Sequence, residues 1–225
     1  MIGIIGAMEA EVKAIIELLE NENTITFGSL EFHEGVINGK DVVVCQCGIG
    51  KVFAAMATEA MIIHYDLEYI LNVGVAGALS DKLDVNSIAI SSALVQHDMD
   101  TSPIGDPVGM ISGINIINIP VDIDLVNKVE KVVKDAGFNY EVGIIASGDQ
   151  FINDARKKDY IQKTFNAIAC EMEGAAIAQV AYVNKVPFCV IRAMSDKADG
   201  SSHVDYTSFL KEAIKHTKTI INNLI

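Results

Sequence analysis

Four carboxylates in this sequence sit among apolar neighbours, where an acid can do more than hold water. Glu11 lies in GAMEAEV, Glu171 and Glu173 in CEMEGAAIA, and Asp196 in RAMSDKAD, four residues after Arg192. NAIA precedes CEMEGAAIA and AQVAY follows it, so those two acids are not part of a solvated charged face. Carboxylates gathered in such a setting suit general acid–base work, because burial raises a carboxyl's pKa and lets it hold a proton near neutral pH. Each also has a plain structural use. Glu171 and Glu173 can meet the free N–H groups and positive dipole end of a helix whose first turn runs from Glu171 to Gly174. Glu11 can be a surface acid of the first helix, Asp196 a cap, and Arg192 a salt-bridge partner.

Other chemistries find less support. There is no Gly-x-Ser-x-Gly elbow and no notable Cys/His pairing. A P-loop ending at GIGK needs Gly at 45 and Ser or Thr at 52, where Cys45 and Val52 stand. A dinucleotide fingerprint fails at Phe53 when begun at Gly48, and at Ala76 when begun at Gly74. Gly48, Gly50, Gly74 and Gly77 are then read as glycines of tight turns and close backbone approach. His97, Asp98 and Asp100 form a metal-like cluster, but no second set stands at ligand spacing, and no metal is expected. Their segment opens the loop HDMDTSPIGDPVGMISG, read as a lid or partner contact. His33, His64, His203 and His216 lack acid–base surroundings.

The elements that must position the acids show as apolar runs, each ending in Gly or a polar cluster. MIGIIG runs into AMEAE, DVVVCQC into GIGK, YILNV into GVAGAL and SIAISSALV into QHDMD. EVGIIA meets SGDQFIN, AIAC meets EMEG, and VPFCVIRAM meets SDKAD. Continuous Val/Ile-rich runs mark strands covered on both faces. Helical faces lie between them: Val12, Ile15, Ile16 and Leu19; then Leu125, Val126, Val129, Val132 and Val133, with Asp124 to cap and Gly137 to terminate. Phe209, Leu210, Ala213, Ile214, Thr217, Ile221 and Leu224 give an amphipathic closing helix. This alternation predicts a parallel or mixed central sheet with helices outside, and ligands beyond the carboxyl ends of its strands. The acids, the Gly48–Lys51 turn, Gly74–Gly77, His97–Asp100, Ser147–Ile152 and Arg192 all gather there.

The 225 residues fit one α/β domain, 1–225. A net charge of −13 argues against nucleic acid or an anionic membrane as partner. No apolar run is long enough to span a membrane, and the N-terminus lacks the basic region of a signal peptide. Cys45, Cys47, Cys170 and Cys189 lie in apolar strand-like runs, as buried reduced thiols of a cytoplasmic protein do.

GIIGAMEAEV, GIGK, SGDQFIN, EMEGAAIA and RAMSDKAD together resemble the nucleoside phosphorylase/nucleosidase superfamily, and within it the 5'-methylthioadenosine/S-adenosylhomocysteine nucleosidases. The resemblance runs from Met1 to the last helix. It implies a three-layer α/β/α fold with a mixed, partly barrel-like sheet, a homodimer and no cofactor. It implies hydrolysis of the purine–ribose bond through an oxocarbenium-like transition state. Asp196 would protonate adenine N7 and Glu11 would activate water. Glu173 would bind the ribose hydroxyls, with Met172 packed on the sugar. Phe151 would stack on adenine, the Ile152 backbone would read its edge, and Gly77 would let the backbone approach the ligand. Arg192 would help place the water or pair with an acid. Tyr206 and the 97–112 loop would close over the 5' substituent, the loop reaching across the dimer. The competing activities are a phosphorylase, disfavoured because GAMEAE offers phosphate a carboxylate and no Arg, and a non-catalytic nucleoside-binding module, disfavoured because Glu11, Glu173 and Asp196 are all present. Val75 stands where the family often has serine, and Ile104 and Asp106 where its lid often has aromatics.

Overall fold

The computed structural model of the chain describes residues 1–198 and 206–225, with the side chains of 206–208 outside the description. The seven apolar runs all fold as strands: β1 (Ile2–Gly6), β4 (Lys40–Gln46), β5 (Tyr69–Ala78), β6 (Ile88–Gln96), β8 (Tyr140–Ser147), β9 (Ala167–Glu171) and β10 (Phe188–Asp196). Ile4, Val44, Leu71, Ile90 and Val190 in five of them are fully buried. Cover on both faces is why the runs show no polar alternation. A hairpin of β2 (Glu20–Phe27) and β3 (Leu30–Ile37) joins them, turning at Gly28 with φ 63°. Its ENENTITF strand is mostly exposed and carries too little apolar pattern to be read from sequence. The two-residue β7 (Ile119–Pro120) completes the set.

Among the described residues six α-helices accompany them: α1 (Glu9–Ile16), α2 (Lys51–His64), α3 (Ile123–Asp135), α4 (Ala155–Phe165), α5 (Gly174–Val183) and α6 (Tyr206–Leu224). Two predicted boundaries shift. The α3 cap is Asp122, whose carboxylate accepts the Leu125 N–H at 2.8 Å, and Asp124 lies in the first turn instead. Gly137 follows the helix at φ 76°, a conformation that suits glycine at a helix end. The second shift is at CEMEGAAIA, where α5 starts at Gly174 because Glu171 completes β9.

β10 pairs parallel with β5 and antiparallel with β6. β6 continues to β8, β8 to β9, and β9 returns to β5 through Gly77↔Cys170 and Ala78↔Ala169. Five strands thus close into a mixed barrel-like ring, and β1, β4, β3 and β2 extend the sheet from β5. One face buries Val12, Ile15, Val126, Val129 and Ile220 of α1, α3 and α6. The other buries Ala54, Ala57, Met61, Ala175 and Ala178 of α2 and α5, whose small residues bring those helices close. The result is the three-layer arrangement with helices on both sides. Each fully buried aliphatic side chain contributes roughly 1.5–3 kcal/mol by leaving water. Among the described residues no helix is long and apolar enough to cross a membrane.

Candidate active site

Glu11 is placed by the first turn of α1. Its Oε2 folds back to accept the N–H groups of Ala7 and Met8, both at 2.9 Å. Its Oε1 accepts the Val75 N–H of β5 at 3.0 Å. The residue is 4% exposed, so it is not the surface acid its helix position allowed. Burial raises its pKa, opposed by the Arg192 charge and these three N–H groups. Oε2 is satisfied by its two N–H donors, while Oε1 keeps a second lone pair for a water.

Glu171 and Glu173 are neighbours in sequence with different surroundings. Glu171 accepts the N–H groups of Glu173 and Gly174 at 3.1 and 2.7 Å, capping α5. It also takes the Ser147 hydroxyl and the Arg192 guanidinium. Glu173 makes no cap bond of its own and reaches across to the Gly50 N–H at 2.9 Å. Its Oε2 lies 3.7 Å from Arg192 Nη2. Burial, and then the negative charge of Glu171, push the Glu173 carboxyl up to about 7. Arg192 is itself 1% exposed and also bonds the Asn72 side chain at 2.5 Å. It pairs with an acid and is not among the residues lining the hollow described below.

Asp196 ends β10 through a register shift between Met194 and itself. Simple alternation puts Arg192, Met194 and Asp196 on one side. The bulge at Ser195 breaks that alternation and re-aims the carboxylate. The Ser195 hydroxyl donates to Oδ2 at 2.9 Å and the Ala198 N–H to Oδ1 at 2.8 Å, and Asp196 is 5% exposed.

Glu11, Glu173 and Asp196 open onto one hollow of about 120 Å³, whose apolar wall includes Met8, Ile49, Val75, Phe151 and Met172. A pocket of about 30 Å³ adjoins it at Phe151 and Asp196 and takes in Ile152. A larger hollow of about 860 Å³ between α1, the β2–β3 hairpin and α2 contains none of the three acids. Phe151 is exposed at the rim and Ile152 is buried beside it. Cys170 also lines the hollow, and burial pushes its thiol up to about 12, so it stays protonated. Tyr206 begins α6, and its side chain, like all of His203, lies outside the described residues.

Two glycines expected in a turn serve close approach inside a strand instead. Gly74 and Gly77 lie inside β5, not in the turn after it. A Cβ on Gly74 would stand 2.2 Å from Arg192 Nη1 and 2.6 Å from Glu11 Oε1, so its absence makes room for both side chains. A Cβ on Gly77 would stand 3.0 Å from Asp196 Oδ1. Sequence reasoning did not single out Asn72, Ser147 or Ser195. Asn72 had a signal, a lone amide in the apolar run YILNV, and it bonds the Ile5 carbonyl at 2.9 Å as well as Arg192. Chemically, the hollow offers one acid held by a bulge, Asp196, and two with raised pKa, Glu11 held by a helix turn and Glu173 held by the Gly50 N–H.

The whole chain, residues 1–225, matches the family model of the phosphorylase superfamily. It is 40% identical over 226 residues to a 5'-methylthioadenosine/S-adenosylhomocysteine nucleosidase of Staphylococcus haemolyticus, covering 100% of this chain and 99% of the relative. Its fold is similar to that of the nucleosidase of the same name from Neisseria meningitidis in complex with methylthio-immucillin-A. There the TM-score is 0.95 and the identity 33%, over 99% of this chain and 97% of the other. It is also similar to a futalosine hydrolase of Helicobacter pylori, with TM-score 0.94 and 34% identity, over 99% and 96% of the two chains.

Proposed function

The chain belongs to the phosphorylase superfamily and, within it, to the 5'-methylthioadenosine/S-adenosylhomocysteine nucleosidases, and from that premise we propose that its acid-lined hollow hydrolyses both nucleosides to adenine and a 5-thioribose product. One observation carries hydrolysis over phosphorolysis. Among the described residues lining the hollow there are four carboxylates and no lysine, arginine or histidine. Arg192 is already paired with Glu171. At an effective dielectric of about 20, a unit anion ~5 Å from one carboxylate is repelled by about 3 kcal/mol. Phosphate is disfavoured there and water is not.

The roles follow the transition state. Asp196 protonates N7 of the leaving adenine, a step for which general acids supply about 10²–10⁴ in rate. Glu11 draws a proton from water aimed at C1'; its raised pKa and the free lone pair on Oε1 support this. Glu173 accepts the ribose hydroxyls and offsets positive charge on the sugar. Met172 packs on the sugar, Phe151 stacks on the base, the Ile152 backbone reads the base edge and Gly77 lets the strand lie close to the ligand. Arg192 acts from behind through the acids it touches. Tyr206 and the 97–112 loop close over the 5' group. No cofactor takes part. A second copy of the chain completes the site, a pairing supported by exposed Val52, Phe53 and Met56 on α2 beside exposed Ile49. The enzyme works in the cytoplasm.

The test is incubation with 5'-methylthioadenosine in phosphate-free buffer while following free adenine. Adenine that appears only after phosphate is added overturns the hydrolase reading. The likeness to a futalosine hydrolase favours a second reading of the 5' side, in which a larger 5' substituent is accepted. Competition between nucleosides of different 5' groups in the same assay decides it.

A further inference from the structure

Lys51, Asp98 and Asp149 come from three separate segments and close a ring of hydrogen bonds beside the hollow. The Lys51 ammonium donates to Asp98 Oδ1 at 2.6 Å. The Asp149 N–H donates to Asp98 Oδ2 at 2.9 Å. The Lys51 N–H, first in α2, donates to Asp149 Oδ1 at 2.8 Å. None of the three lines the hollow. The ring also reaches α5, since the ammonium bonds Gln96 Oε1 at 3.1 Å and the Gln96 amide bonds Gln179 at 2.6 Å.

Each member adjoins a residue that the site uses. Gly50, before Lys51, donates its N–H to Glu173. Its φ is 99°, and a Cβ there would lie 3.0 Å from Asp149 Oδ1, so position 50 must stay bare for the ring to close. Phe151 is two residues beyond Asp149. Asp98 follows β6 and opens the long loop. Between Asp98 and Asp149 the backbone of Gly148 rests on the His97 ring, where a Cβ would meet Nε2 at 2.4 Å. Burial would raise the Asp98 carboxyl, and the Lys51 ammonium with the Asp149 N–H outweighs it and holds the carboxyl below its usual range.

We propose that the Lys51–Asp98–Asp149 ring is a positioning device for the reaction, fixing the distance between the base-side wall at Phe151 and the ribose-side acid Glu173. The proposal rests on the nucleosidase reading. The Lys51 and Asp98 side chains are about one-fifth exposed, and the Asp149 N–H still holds Asp98 once Lys51 is replaced, so breaking the pair costs less than breaking a fully buried one. A displacement of about 1 Å between the groups that hold two halves of a substrate costs on the order of 100-fold in rate. The ring's effect therefore falls on turnover more than on folding.

The experiment compares Lys51→Met, Asp98→Asn, their double variant and Lys51→Arg with the wild type, by phosphate-free adenine release from 5'-methylthioadenosine and by thermal denaturation. The two single variants lose about tenfold or more in kcat/KM, with Tm lowered by only a few degrees. The double variant is no worse than the poorer single one, because one ring is broken once. Lys51→Arg, which keeps the charge and the reach, recovers most of the loss. A kcat/KM within about twofold of wild type, losses that multiply in the double variant, or losses that track the unfolded fraction each overturn the proposal. Should Asp98→Asn fail to fold, Lys51→Met against Lys51→Arg decides alone. A wild type that releases no adenine overturns the nucleosidase reading itself, whereas an active wild type with unaffected variants overturns only the ring.

Discussion

The Arg192 guanidinium and the Glu171 carboxylate form an ion pair in which both side chains are 1% exposed. It ties β10 to the corner between β9 and α5, where Glu171 also caps the helix. An acid with this many fixed partners holds structure. Glu171→Gln leaves a buried guanidinium short of charge, and breaking such a pair costs about 3–5 kcal/mol. The presence of Glu173 at 3.7 Å puts the expected loss at the lower end. Urea denaturation measures it, and unchanged stability in this variant contradicts the assignment.

Asp196→Asn gives the opposite signature. An amide cannot supply the proton, so adenine release falls by about 10²–10⁴. Its carbonyl can still accept the Ala198 N–H, so Tm stays within a few degrees. Near-normal turnover in the variant removes Asp196 from the acid role.

Much of this arrangement was legible because both-face burial writes itself as unbroken Val/Ile runs, and ligand sites follow strand ends. The gathering of Glu11, Glu173 and Asp196 on one hollow is that rule at work. What alternation could not carry is the bulge at Ser195, since one inserted residue reverses the side on which Asp196 emerges. Nor could spacing separate Glu171 from Glu173. The difference lies in a strand end and a helix start falling between them, and in Gly50, more than 100 residues away, supplying the N–H for one of them. The β2–β3 hairpin was not legible because β2 is mostly exposed and polar, although β3 buries Leu30, Phe32 and Ile37.

Gly74 supplies a test of crowding in that buried cluster. Alanine there puts a methyl 2.2 Å from Arg192 Nη1 and 2.6 Å from Glu11 Oε1, and both side chains must move. Overpacking of this kind costs about 1–3 kcal/mol. Moving Glu11 also spoils water placement, so kcat drops by about 100-fold. Gly77→Ala crowds Asp196 instead, and comparison of the two pH–rate profiles separates the base side from the acid side. An active, stable Gly74→Ala variant contradicts the packing described here.

Glu173 carries a prediction in pH. Burial and the charge of Glu171 raise its carboxyl to about 7, against an ordinary value of about 4.3. Between those values the folded chain holds a proton that the unfolded chain has released. Stability from this group is therefore full below about pH 4 and is lost as pH rises to about 7. In Glu173→Gln that loss disappears, so Tm falls less between about pH 5 and about pH 7.5 than in the wild type. A residual slope remains from Glu11, also raised by burial. Catalysis moves the other way, since the sugar cation needs Glu173 ionised. The wild-type kcat/KM, which reports the free enzyme, rises through about pH 7. In Glu173→Gln only the part of this rise due to Glu11 remains, and the rate is down by about 100-fold. A variant that keeps the wild-type pH–rate profile, or loses stability without losing rate, returns Glu173 to a purely structural part.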